Sequence, residues 1–147
     1  MKYNTIVGLI SKKLGDEIVS ESEMLSYMDS VVDDINTRLD AKFPTFTEFK
    51  EDNAGLNAEI LDYTAFPDKY IRTVVVPGAA FKYYTTDEEG GYSSPKYEEE
   101  YNSGLFYMVR DFSFSIPEKY QADCQGYIDI EGTDAGLIVP TRRGGIF

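Results

Sequence analysis

Apolar side chains recur along this chain at helical spacing in several places. Between Asn4 and Leu14, the residues Ile6, Ile10 and Leu14 step by four, with Thr5, Ser11, Lys12 and Lys13 interspersed. That spacing predicts a short amphipathic helix, capped by Asn4 and stopped at Gly15. The pattern is strongest from Ser20 to Phe43. There Met24, Met28, Val31, Ile35 and Leu39 form a stripe that Leu25 and Val32 widen. Asp29, Asp33, Asp34, Asn36, Thr37 and Asp40 fall on the opposite, solvated face. Ser20, Glu21, Ser22 and Glu23 suit a helix start, and Pro44 bars continuation because the residue before a proline avoids the helical region.

Residues 44–66 lack a clear period and read as irregular, with a turn at Asp52-Asn53-Ala54-Gly55 and a short strand over Ala58 to Tyr63. From Pro67 the positions Tyr70, Ile71, Val74, Val75, Ala79, Phe81 and Tyr83 return to near-helical spacing. Pro77-Gly78 interrupts them, since proline removes one backbone bond and clashes one turn back. A kinked or broken helix over 67–86 is the expectation, with Thr73 to Val76 also suited to a strand by propensity. After a polar loop, Asp87 to Ser94, Pro95 opens a helix to Phe112 whose stripe is Tyr97, Tyr101, Leu105, Met108 and Phe112. Gly104 lies within it, which points to close helix packing. Beyond Phe114 the pattern changes: Tyr127 to Gly132 alternates with period two, and Leu137-Ile138-Val139 is a second strand candidate. The predicted fold is mainly α: a bundle of three to four helices over residues 1–114, then an arm over 115–147 that is extended and holds a short β-hairpin.

Composition narrows the chemistry. The 147 residues carry 14 basic and 26 acidic side chains, a net charge of −12, and include no histidine. Nucleophile arrangements and metal sites that need imidazole are therefore impossible. Cys124 is the single cysteine, so it can form no internal disulfide, and no histidine stands ready to activate it. No apolar run reaches the roughly 18–20 residues of a membrane helix, and nothing marks the start as a signal peptide. The acidic excess disfavours adhesion to nucleic acid or an anionic membrane. Asp29, Asp33, Asp34 and Asp40 could supply oxygen ligands to a cation, but helical acids at this spacing read more simply as a solvated face. No catalytic group, metal or cofactor is expected.

The 12 Tyr and 9 Phe lack the basic groove that single-strand binders pair with stacking aromatics. Tyr83, Tyr84, Tyr97 and Tyr101 are accordingly expected in core and subunit-interface packing. The arm ends on Thr141-Arg142-Arg143-Gly144-Gly145-Ile146-Phe147, a basic pair beside an otherwise acidic body. This end reads either as a frayed terminus or as a docking arm that includes Leu137, Ile138 and Val139, in which Arg142 and Arg143 would pair with carboxylates on a partner while Ile146 and Phe147 fill apolar pockets.

This layout resembles the head–tail connector, or adaptor, proteins of tailed bacteriophages. The resemblance rests on the short first helix, the long acidic helix Ser22–Lys42, the start Phe66-Pro67-Asp68-Lys69-Tyr70, the stretch Ala79-Ala80-Phe81-Lys82-Tyr83-Tyr84 and the Tyr-rich helix Tyr97–Phe112. It implies a homo-oligomeric ring of twelve copies at the head–tail junction of a virion, assembled in the host cytoplasm. Its partners would be the portal protein and a tail or second neck protein. DNA would pass through without sequence-specific contact, along a channel for which Asp29, Asp33, Asp34 and Asp40 are the lining candidates. The resemblance brings no catalytic residue with it. Two other readings stay open: a small acidic metal-dependent accessory enzyme, and a monomeric regulator that binds a host protein.

Overall fold

The computed structural model describes residues 1–15, 18–86, 94–112 and 116–122. Helix α1, Tyr3–Lys13, buries Ile6 and Ile10, with Leu14 buried just past its end, as their spacing predicts. Its N-cap is Lys2, not Asn4, and no side chain caps it. Tertiary pairing replaces the local cap: the Tyr3 N–H donates to the Leu61 carbonyl at 3.1 Å and the Tyr63 N–H to the Met1 carbonyl at 2.9 Å. Gly15 follows the helix at a φ of +68°, a conformation that glycine adopts at least cost.

Helix α2, Glu21–Leu39, opens as predicted, with the Ser20 hydroxyl accepting from the Glu23 N–H at 3.2 Å. Met24, Met28, Val31, Val32, Ile35 and Leu39 are all buried. It ends well before Pro44, because Asp40 turns left-handed at φ 52°, ψ 53°. Asn36 then holds the returning chain, accepting from the Phe43 N–H at 2.7 Å and donating to the Phe43 carbonyl at 3.0 Å. The side chain expected on a solvated face therefore acts as a backbone surrogate.

Two expectations for residues 44–66 are overturned. Helix α3, Phe46–Asp52, stands where irregular chain was expected. Its capping box pairs the Thr45 hydroxyl with the Glu48 N–H at 3.1 Å and the Glu48 carboxylate with the Thr45 N–H at 2.9 Å. The expected strand over Ala58 to Tyr63 is instead a 3-10 turn, Ala58–Ile60, followed by a lone bridge between Lys2 and Asp62. Ala58 and Tyr63 are buried between exposed neighbours.

The chain then stays helical from Asp68 to Thr86, through α4 (Asp68–Tyr70), a π turn (Ile71–Val75) and α5 (Val76–Thr86). Pro77 neither breaks this run nor turns Thr73 to Val76 into a strand. The π turn, closed by the Val76 N–H on the Ile71 carbonyl, adds a residue to the ring just ahead of the proline. In an unbroken α ladder position 77 would donate to the Thr73 carbonyl, and proline has no hydrogen to give.

Helix α6, Ser94–Phe112, buries its predicted stripe of Tyr97, Tyr101, Leu105, Met108 and Phe112. It packs on α5 and the π turn, and α5 also receives α1 and α2, so the Pro77 helix is the centre of the bundle. Two glycines set the approach. A Cβ on Gly104 would lie 2.1 Å from the Thr73 oxygen, so α6 meets the carbonyl that Pro77 leaves without its α-helical donor. A Cβ on Gly78 would lie 2.7 Å from the Tyr101 ring and 2.8 Å from Val31, where α2, α5 and α6 converge.

An aromatic cluster closes one end of the core. Phe46 stacks on Tyr63 at 4.2 Å, Phe43 packs on Phe66 at 4.7 Å, and Tyr70 packs on Phe112 at 5.2 Å. Each such pair adds about 0.5–1.5 kcal/mol beyond its buried area. Residues 116–122, placed in the arm by their composition, lie against this end. Tyr120 sits 4.8 Å from Phe43, and its carbonyl accepts from the Lys42 N–H at 2.8 Å. The predicted hairpin, Cys124 and the rest of the arm lie outside the described residues.

Gly104→Ala tests the close approach through its sign. In an ordinary helix the change stabilises by about 1 kcal/mol. Here the new methyl meets backbone that cannot swing aside, so urea unfolding should show a loss of about 2 kcal/mol. A raised unfolding midpoint would refute the contact.

Candidate functional site

The four acidic candidates, Asp29, Asp33 and Asp34 on α2 and Asp40 just past its end, divide into two kinds. Asp29 is engaged at the start of α3, where one of its oxygens accepts from the Phe46 N–H at 2.8 Å and the Thr47 N–H at 3.2 Å, and its other oxygen takes the Thr47 hydroxyl. Asp34 is engaged between helices, accepting from the Lys82 ammonium of α5 at 2.8 Å and the Tyr101 hydroxyl of α6 at 2.6 Å. Asp33 and Asp40 remain exposed. Two of the four channel candidates therefore hold the fold, and two face outward. Among the described residues no three His, Cys, Asp or Glu side chains are grouped so as to hold a metal ion.

The electrostatics follow this division. Asp33 is raised above its ordinary 3.8, first by partial burial and then by the negative charges of Asp29, Asp34 and Glu48, with Lys82 opposing them. The Tyr101 hydroxyl is raised by burial, by its hydrogen bond to Asp34 and by that carboxylate's charge. Burial and the bond to Asp111 push Tyr70 up to about 12. Asp111 is lowered in turn, chiefly by the Tyr70 hydroxyl and also by Lys69 and Arg110. All these shifts trace to groups bonded or packed within the fold.

Three of the four aromatic candidates, Tyr83, Tyr84 and Tyr97, form one connected set, whereas Tyr101 packs on Phe81 and bonds Asp34. Tyr97 and Tyr101 are buried within the chain itself, 8% and 3% exposed. Tyr84 stacks on Tyr97 at 5.6 Å with the rings nearly parallel, and both hydroxyls donate to the Lys13 carbonyl at the end of α1, at 3.2 Å and 3.1 Å. Tyr83 packs edge-on to Tyr27 at 6.0 Å and to Tyr84 at 5.0 Å. This set ties α1 to α5 and α6. The arm candidates Leu137, Ile138, Val139, Arg142, Arg143, Ile146 and Phe147 lie outside the described residues.

The surface features with most to offer a partner went unnoticed in the sequence. Between α2 and α6 runs a shallow groove of about 490 Å³, lined by Arg38, Asn102, Phe106, Val109 and Arg110. Phe106 and its neighbour Tyr107 are 64% and 49% exposed. The available signal was two adjacent aromatics lying off the buried Tyr101-Leu105-Met108 stripe. A second, more polar groove of about 310 Å³ lies between α2 and α5, lined by Ser26, Tyr27, Ser30, Phe81, Lys82, Thr85 and Thr86. No helix among the described residues is long and apolar enough to cross a membrane. No protein-family model, curated protein or solved structure matches this chain.

The raised Asp33 makes a pH-dependent prediction. Its folded value exceeds its unfolded one, so the ionised carboxylate costs stability above the folded value. That cost disappears as pH falls through the carboxylate range toward the unfolded 3.8. Asp33→Asn should therefore raise the urea midpoint at neutral pH, with the gain fading in acid. A gain that persists unchanged in acid would contradict the repulsion.

Proposed function

We propose that this chain is a structural protein of the tailed-phage head–tail junction, an adaptor that forms a ring on the portal and lets DNA pass through an acidic channel. One observation carries the reading. Among the described residues, the polar groups set into the helix contacts are engaged in holding the fold, whereas the large apolar side chains left exposed lie beside charged ones. Such a surface is suited to binding other subunits.

The charge of −12 agrees with this role. An acidic passage repels the phosphate backbone at close range, so duplex slides without adhering. Of the four acidic candidates, Asp33 on α2 and Asp40 at its end face outward and are available for such a lining. The ring of twelve copies, the portal and the tail or second neck protein as partners, and the virion location belong to the same proposal. So does the arm: Arg142 and Arg143 would grip carboxylates, and Leu137, Ile138, Val139, Ile146 and Phe147 would anchor in apolar pockets.

Removal of residues 137–147 tests the arm. The truncated chain should keep its helical circular dichroism and lose co-sedimentation with portal particles, which the full chain retains. Unchanged co-sedimentation would count against the arm as the portal-docking element.

A further inference from the structure

Two exposed apolar patches, one bordered by arginines and one by carboxylates, lie on the surface, and we propose that they are the two halves of a head-to-tail contact between copies of this chain. The proposal rests on the assembly reading above and names the contact that assembly would use. The first half is the α2–α6 groove. Phe106 and Tyr107 stand edge-to-face at 5.4 Å, and the Arg110 guanidinium lies 4.9 Å from the Tyr107 ring centre and 3.3 Å from the Asp111 carboxylate, with which it pairs. Arg38 lines the groove from the α2 side. Among the described residues it has no carboxylate within ion-pairing reach.

The second half is the turn between α3 and α4. Leu56 and Ile60 are 64% and 53% exposed there. Glu51, Asp52 and Glu59 are exposed in the same stretch and have no basic partner among the described residues. The halves belong to different parts of the surface, because the 58–60 turn packs on α1, whereas α6 packs on α5, the π turn and α2.

Charge decides which halves meet. Groove against groove would oppose Arg38 to its own copy, and turn against turn would oppose carboxylates to carboxylates; both are penalised. Groove against turn sets Phe106 and Tyr107 on Leu56 and Ile60, and the Arg38 guanidinium among Glu51, Asp52 and Glu59. Aromatic and arginine side chains at the centre of a contact are the usual carriers of binding energy. Since each copy offers both halves, the contact repeats from copy to copy and yields a closed ring or an open filament.

Sedimentation velocity on the full chain tests this with two double variants: Phe106→Glu with Arg38→Glu in the groove, and Ile60→Lys with Glu59→Lys in the turn. All four positions are exposed, so helical circular dichroism should be unchanged. Where it is not, Tyr107→Ser and Leu56→Ser replace them. The wild-type chain should associate with rising concentration, and each variant alone should associate at least about tenfold more weakly. An equimolar mixture of the two variants should form a two-copy species and stop, because the mixture holds one intact groove and one intact turn. The contact is overturned if the variants associate like wild type, if the mixture stays single-copy, or if wild type is single-copy up to about 1 mM. Portal binding by the full chain despite any of these would overturn the contact alone. Intact mixing without portal binding would instead overturn the connector reading alone.

Discussion

The bundle depends on how its central helix accommodates a proline. Pro77 cannot donate to the Thr73 carbonyl, and its ring would press on that same group in a regular α-helix. The π turn at Ile71–Val75 relieves the crowding, and Gly104 lets α6 come in against the oxygen. A Cα–H facing a carbonyl is a weak bond, about 0.5–1 kcal/mol. Its larger effect is geometric, since it sets the distance at which Tyr101, Leu105 and Met108 reach the core. Gly78, one residue past the proline, sets the matching approach of Tyr101 and Val31. With those distances fixed, the Tyr101 hydroxyl falls within 2.6 Å of Asp34, and Lys82 joins them from α5.

Helical periodicity carried most of the fold. The stripes of α1, α2 and α6 were legible because each buries a single face, and burial at that spacing has one simple solution. Gly104 was legible as a packing glycine for a related reason: it sits in a stripe with no other cause to weaken itself. What was lost depended on partners far along the chain. Lys2 rather than Asn4 begins α1 because residues 61–63 pair with the chain there. Asp29, Asp34 and Asn36 look solvated in a helical projection, yet they cap α3, bind α5 and α6, and hold Phe43. Helix α3 was a different failure, for Thr45 and Glu48 carry the capping-box spacing in plain view; seven residues were too few for the hydrophobic period to register.

Of the candidate site, the sequence revealed the residue types more readily than their duties. Tyr83, Tyr84, Tyr97 and Tyr101 were expected in core and subunit-interface packing; Tyr97 and Tyr101 are buried within the chain itself, and Tyr84 stacks on Tyr97 between α1, α5 and α6. The outward surface is carried by Phe106, Tyr107, Arg38 and Arg110 on one side and by Leu56, Ile60 and nearby acids on another. Residues three or four apart on a helix share a face, but the groove joins α2 to α6, and no local pattern announces such a pairing. On the proposed reading, polar groups committed between helices and exposed apolar groups flanked by charge equip the chain for contact with other proteins.

Electron microscopy of the full chain mixed with portal particles tests that claim most directly. A closed ring of copies seated on the portal with an open central passage is expected. Bare portals beside freely dispersed single copies would contradict it.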